Sequence, residues 1–243
     1  MKTICILIPV YNEETVLPAL RSRLTQVLDA LPRYQFRVLF VNDGSTDQSL
    51  ALLKAIGKED GRFHTLSLSR NFGKEAAVAA GLDACREDAL ILLDADLQDP
   101  PELIPQLIEE WENGYDDVYA KRTSRQGETF LKKFTSKLYY RLLSRLSRVP
   151  IQVDTGDFRL LDRRVVEALC SLRESGRCSK SLFSWVGFRK KEVPFERAPR
   201  HAGKTKWNYG SLCSLALDGI TGLTTFPPVS YTHLLCHRQA PTP

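Results

Sequence analysis

Residues Leu90–Pro101 read LILLDADLQDPP, and how this stretch ends decides the fold. Four apolar residues, Leu90 to Leu93, are long enough for a strand buried on both faces, and the run stops abruptly at Asp94-Ala95-Asp96. Two carboxylates thus stand at a strand's carboxyl end, where open α/β sheets place their ligands. An Asp-x-Asp pair there can hold a hard divalent cation while diphosphate oxygens complete its coordination. The plainer reading of the same residues is a solvated acidic turn.

Upstream, apolar runs and helical periodicities alternate. Ile4–Val10 predicts a first strand and Val16–Leu31 a helix, followed by a strand at Phe36–Val41 and a helix at Gln48–Ile56. A third strand, Phe63–Leu68, leads to the alanine-rich helix Ala76–Cys85 and then to the central strand. Pro100-Pro101 opens a helix through Trp111, and Tyr115–Ala120 supplies another strand. Each parallel crossover needs a covering helix, so this alternation predicts an α/β fold with a mostly parallel central sheet and helices on both faces.

A chain of 243 residues, 43% of them hydrophobic, can bury the core of one large α/β domain. Its six cysteines form no C-x-x-C pair and no zinc-site spacing, so they read as reduced or incidental. No apolar run reaches the roughly 18 residues of a spanning helix. Met1-Lys2-Thr3 enters a strand-like segment at once, which argues against a secretory signal and for a cytoplasmic site. Neither G-x-G-x-x-G nor the P-loop pattern occurs in any strand-to-helix turn, which removes the main support for dinucleotide and P-loop chemistry.

Several turns hold candidate ligand groups. Asn42-Asp43-Gly44-Ser45-Thr46-Asp47 suits a capped turn, or a site where Asp43 and Asp47 accept hydrogen bonds from a base or ribose. Asp157, flanked by Gly156 and Phe158, reads either as a turn aspartate or as a partly desolvated general base. Between Lys121 and Arg148 nine basic residues face one acid, Glu128. Apolar residues recur there every fourth position from Phe130 to Leu146, with Lys133, Lys137, Arg141 and Arg145 alongside. This spacing predicts a basic amphipathic helix suited to a membrane surface. Nothing resembling a nucleic-acid module accompanies the charge, so nucleic acid is not an expected partner. Arg197–Trp207 is a basic loop of the kind that closes over anions, with His201 an ordinary loop histidine.

IPVYNEE, VNDGSTD, SRNFGKEAAVAAGLDA, DADLQDPPELI, TGDFRL and RHAGKTKW occur in this order between about residues 3 and 228. In that combination the chain resembles the polyprenyl-phosphate glycosyltransferases of the GT-A fold, in particular the bactoprenol glucosyltransferase branch related to dolichol-phosphate mannose synthase. The resemblance implies a metal-dependent hexosyltransferase using Mg²⁺ or Mn²⁺, a nucleotide-diphosphate sugar donor such as UDP-glucose, and a lipid acceptor such as undecaprenyl phosphate. It implies a donor pocket formed by Pro9, Tyr11, Glu13, Asp43, Asp94, Ala95, Asp96 and Gln98, closed by Arg200 and Lys206. Asp94 and Asp96 are the implied metal ligands, Asp157 the implied catalytic base, and Arg122, Lys132 and Ser136 the implied contacts to the acceptor phosphate. Lys132 stands where some relatives carry Arg, which keeps the charge but not bidentate geometry.

By the same resemblance, residues 1–208 form the catalytic domain and 209–228 a juxtamembrane helix. Full-length relatives are anchored on the cytoplasmic face of the plasma membrane and can form homo-oligomers. Residues 229–243 depart from the family pattern and point to a truncation or frame artefact. Two other classes compete: a catalytically silent nucleotide-sugar-binding protein, and an aspartyl phosphatase with Asp94 as nucleophile and Asp96 as acid. Related donors, GDP-mannose or a modified UDP-sugar, are alternatives within the transferase reading.

Overall fold

The computed structural model describes residues 1–123, 155–172 and 179–195. The expected basic helix, the Arg197–Trp207 loop, the juxtamembrane helix and the tail all lie outside the described residues, as do Lys132, Ser136, Arg200 and Lys206.

Strand β1 (Lys2–Val10) is buried continuously from Ile4 to Ile8, as a strand covered on both faces should be. Helix α1 (Leu17–Asp29) buries Leu17, Leu20, Leu24, Val27 and Leu28, one stripe at helical spacing, with a proline in its first turn. β2 (Tyr34–Asn42), α2 (Ser49–Glu59), β3 (Phe63–Ser67), α3 (Lys74–Ala84) and β4 (Ala89–Leu92) continue the alternation. A 3₁₀ turn at Pro101–Leu103 runs into α4 (Ile104–Glu112), and then come β5 (Asp117–Arg122), β6 (Thr155–Asp162), α5 (Arg163–Ser171) and β7 (Lys190–Phe195). These strands form one seven-stranded sheet in the order β3-β2-β1-β4-β6-β5-β7. A second unit contributes only helix α6 (Ser179–Trp185) to the described residues.

Pairing is parallel from β3 to β4 and between β5 and β7, but β6 runs antiparallel to both its neighbours. This reversal positions the site. A parallel β6 would carry its amino end, with Asp157, to the far edge of the sheet. In the observed register Leu92 faces Arg159, and continuing by two residues sets Asp94 across from Asp157. β5 also runs two residues beyond the predicted Ala120, because Lys121 and Arg122 pair with Pro194 and Phe195 of β7. Arg122 therefore ends β5 at the same edge of the sheet.

Within the sheet, Arg159 is fully buried and donates to Asp117 Oδ2 at 3.1 Å, with Lys190 Nζ at 3.9 Å from the same oxygen. Burial raises the Asp117 carboxyl above its ordinary range, against the opposing pull of Arg159 and Lys190. Removing one partner of such a pair strands the other charge. Arg159→Ala should therefore lower unfolding stability by about 3–5 kcal/mol, measured by urea titration. A loss below about 1 kcal/mol would mean that Asp117 finds water or another partner.

Candidate active site

Two turns at the carboxyl ends of β1 and β2 are laced together. Asn12, at φ +55°, donates its backbone N–H to Ser45 Oγ at 3.0 Å, while its side-chain oxygen accepts from the Thr46 N–H at 2.8 Å. Asparagine tolerates this left-handed backbone better than most residues. The Glu13 N–H donates to Ser49 Oγ, and the Gln48 N–H donates to Glu14 Oε2. Asp47 accepts from the N–H groups of Ser49 and Glu14, so its carboxylate serves the turn. Tyr11 is exposed here and Pro9 is half-buried.

Asp43 is 3% exposed, and its two oxygens accept from the backbone N–H groups of Phe72 and Gly73 at 2.8 and 2.9 Å. Its carboxylate thus anchors the loop that leads into α3. Gly44 lets that loop approach. A Cβ there would lie 2.3 Å from the Arg70 carbonyl carbon, and its φ is +64°.

Beyond β4 the chain folds tightly over Asp94-Ala95-Asp96. Asp96 Oδ1 accepts from the Gln98 N–H at 3.1 Å, and Leu97 adopts φ +58° although it is not glycine. Such a backbone costs on the order of 1–2 kcal/mol, and burial of the Leu97 side chain, 2% exposed, helps to offset it. The turn leaves Asp94 and Asp96 partly exposed, while Ala95 and Gln98 are buried. Gln98 Oε1 has no hydrogen-bond partner among the described residues.

Lys74, to which the sequence motifs assign no role, lies at the centre. Its Nζ sits 2.6 Å from Asp94 Oδ1 and 2.5 Å from Asp157 Oδ2. Desolvation works to lower the Lys74 ammonium, but the Asp94 and Asp157 carboxylates outweigh it and hold the group above its ordinary range. Lys74 opens α3 directly after Gly73, so the loop anchored by Asp43 also sets where this cation stands. Arg122 Nη2 lies 4.0 Å from Asp99 Oδ1, and Asp99 is 1% exposed. Gly156 makes room for both: a Cβ there would meet Arg122 Nη2 at 3.3 Å and Asp99 Oδ2 at 3.5 Å. Asp94, Asp96, Asp157, Lys74 and Arg122 are thus gathered at one edge of the sheet.

The donor set of Asp94 and Asp96 is two partly exposed carboxylates, which suits a hard cation such as Mg²⁺ or Mn²⁺ better than a thiophilic one. A cation already stands at Asp94 in the form of the Lys74 ammonium. Away from this edge, Cys5 and Cys85 are buried free thiols with Sγ atoms 2.8 Å apart, and Glu87 lies beside them. The hydrogen bond with Cys85, together with burial, raises the Cys5 thiol above its ordinary range and so favours the neutral thiol over the thiolate. A cavity of about 470 Å³ lies at the opposite end of the sheet, lined by Met1, Lys2, Asp88, Trp111, Asp162 and Arg163. Its acids are committed, Asp88 to Thr3 and Asp162 to Trp111 and Arg164.

The family profile described as Glycosyl transferase family 2 matches residues 5–170, which include Lys74, Asp94, Asp96, Arg122 and Asp157. The chain belongs to glycosyl transferase family 2. Over 229 residues it is 48% identical to an uncharacterised glycosyltransferase of Synechocystis, covering 94% of this chain and 72% of that one. Over 231 residues it is 41% identical to the prophage bactoprenol glucosyl transferase homolog of Escherichia coli, covering 95% of this chain and 75% of that one. Glucosyl-3-phosphoglycerate synthase from Mycobacterium tuberculosis, solved with Mn²⁺, UDP-glucose and phosphoglyceric acid, shares the fold with a TM-score of 0.58 at 18% identity. That likeness covers 88% of this chain and 76% of the synthase. The protein is a glycosyltransferase of the GT-A fold, as the sequence motifs implied.

Proposed function

We propose that this glycosyltransferase moves glucose from UDP-glucose to a polyprenyl phosphate of the undecaprenyl type, with inversion, giving a β-linked lipid-phosphate sugar. The observation that carries this reading is the meeting of Asp94 and Asp157 across the antiparallel β4–β6 pair, in a chain whose relatives include named bactoprenol glucosyl transferases. Asp94 and Asp96 would hold the divalent cation, which when bound supplies positive charge to the departing diphosphate. The donor pocket in this reading comprises Pro9, Tyr11, Glu13, Ala95 and Gln98, with Asp43 acting through the loop that it anchors. Gln98 brings a buried oxygen that still needs a donor, which a sugar hydroxyl can supply.

A lipid phosphate oxygen is already a competent nucleophile near neutral pH, because a phosphate monoester has its second pKa near 6. The protein's task is to neutralise it and align it behind the anomeric carbon. Arg122 offers a guanidinium on the side of Asp157, and Asp157 orients the incoming phosphate more than it removes a proton. Lys132 and Ser136 would add contacts to that phosphate, and Arg200 and Lys206 would close on the donor. A lipid acceptor puts the working site at a membrane surface, on its cytoplasmic face, although no helix among the described residues is long and apolar enough to cross a membrane. Association with further copies of the chain belongs to the same proposal.

The test is a donor screen, UDP-glucose and GDP-mannose each with undecaprenyl phosphate and Mg²⁺ or Mn²⁺. The expected result is labelled glucose in the lipid phase from UDP-glucose alone. Transfer from GDP-mannose only would replace the donor, and donor binding without any turnover would favour a silent binding protein.

A further inference from the structure

The assignment of Asp94 and Asp96 to the metal leaves a problem of charge. One of those carboxylates is already in contact with an ammonium, and the same ammonium touches the acid assigned to the acceptor side. The position of Lys74 is unusual for a cation. It is the first residue of α3, where unsatisfied N–H groups and the helix dipole repel positive charge. Two carboxylates hold it there against that repulsion. Its side chain is 41% exposed, so it has room to swing, whereas its backbone is fixed by the hydrogen bonds from Phe72 and Gly73 to Asp43.

We infer that Lys74 is a resident counter-ion that competes with the divalent cation for Asp94 and is left to Asp157 alone when the cation binds. A doubly charged ion on Asp94 repels an ammonium only a few ångströms away, and water at the surface screens that repulsion only in part. The partner that remains to Lys74 is Asp157, on the opposing strand. Loading of the donor side thereby changes the charge environment of the acceptor side, through one side chain and with no movement of the sheet. Lys74 is a positioning residue in this account: it acts on the two acids, not on the sugar.

The inference rests on the metal assignment, and Mn²⁺ binding to the nucleotide-free protein, followed by the electron paramagnetic resonance of free Mn²⁺, separates the two. Lys74→Met and Lys74→Gln remove the competing charge. Each should tighten Mn²⁺ binding by about tenfold, the scale of one contact charge partly screened by water. Lys74→Arg keeps a cation and should stay near the wild type. Asp94→Asn should weaken binding strongly. If Mn²⁺ binding is unchanged or weaker in both uncharged variants while Asp94→Asn is impaired, Lys74 is only a support for Asp94 and the counter-ion role is wrong. If Asp94→Asn binds Mn²⁺ as the wild type does, the metal assignment falls and the inference falls with it.

Discussion

Asp96→Asn should abolish metal-supported transfer while leaving the fold unchanged. The side chain lies in a turn at the end of β4, partly exposed, and not in the core. The hydrogen bond from the Gln98 N–H to Oδ1 survives the substitution because an asparagine oxygen accepts in the same place. In the proposed reading, what the variant loses is one anionic oxygen toward a hard cation, and with it part of the charge that would hold the metal against the diphosphate. The expected loss of transfer is on the order of 10² or more. Thermal unfolding should stay close to the wild type, because the replacement keeps the shape of a partly exposed side chain. Near-normal transfer by this variant with a chelator present would show that the acidic pair does not work through a metal.

Much of this site is legible in the amino-acid sequence, and the parts that are not share a physical reason. Apolar runs at Ile4–Val10, Phe36–Val41 and Leu90–Leu93 announce buried strands because burial on both faces leaves no polar position, and β1, β2 and β4 fall there. Strand direction leaves no such mark. The residues Phe158 to Leu161 would be equally buried in a parallel or an antiparallel β6, so the local sequence leaves Asp157 either a turn aspartate or a general base, and only the pairing sets it across from Asp94. Lys74 is hidden for a related cause. It lies 83 residues from Asp157 in the chain, and its ion pairs exist only because three elements converge.

Asp43 shows the opposite case. A carboxylate in a Gly-Ser-Thr turn signals a ligand or a cap with equal force, and only the positions of the Phe72 and Gly73 N–H groups reveal that it anchors a neighbouring loop. The start of α3 at Lys74, two residues before the predicted Ala76, has the same source, since Gly73 at φ +94° provides the break and the anchored loop fixes where the helix begins.

Asp157→Asn is the variant that assigns the acceptor side. It keeps nearly the same shape and can still accept from Lys74, but it removes one of the two negative charges on that ammonium. Lys74 then has only a neutral amide to turn to when the cation takes Asp94, so Mn²⁺ should bind more weakly, and with Mn²⁺ at saturation donor binding should remain within a few-fold of the wild type. Transfer should behave differently. If Asp157 orients the lipid phosphate beside Arg122, losing its charge misplaces the nucleophile, and single-turnover transfer should fall on the order of 10² or more. The measurement is one donor titration with Mn²⁺ followed by rapid mixing with a polyprenyl phosphate. Normal turnover would make Asp157 no more than a partner for Lys74. Loss of donor binding would instead move Asp157 to the nucleotide-sugar side, and the acceptor would then need another acid near Arg122, for which buried Asp99 is the neighbour in place.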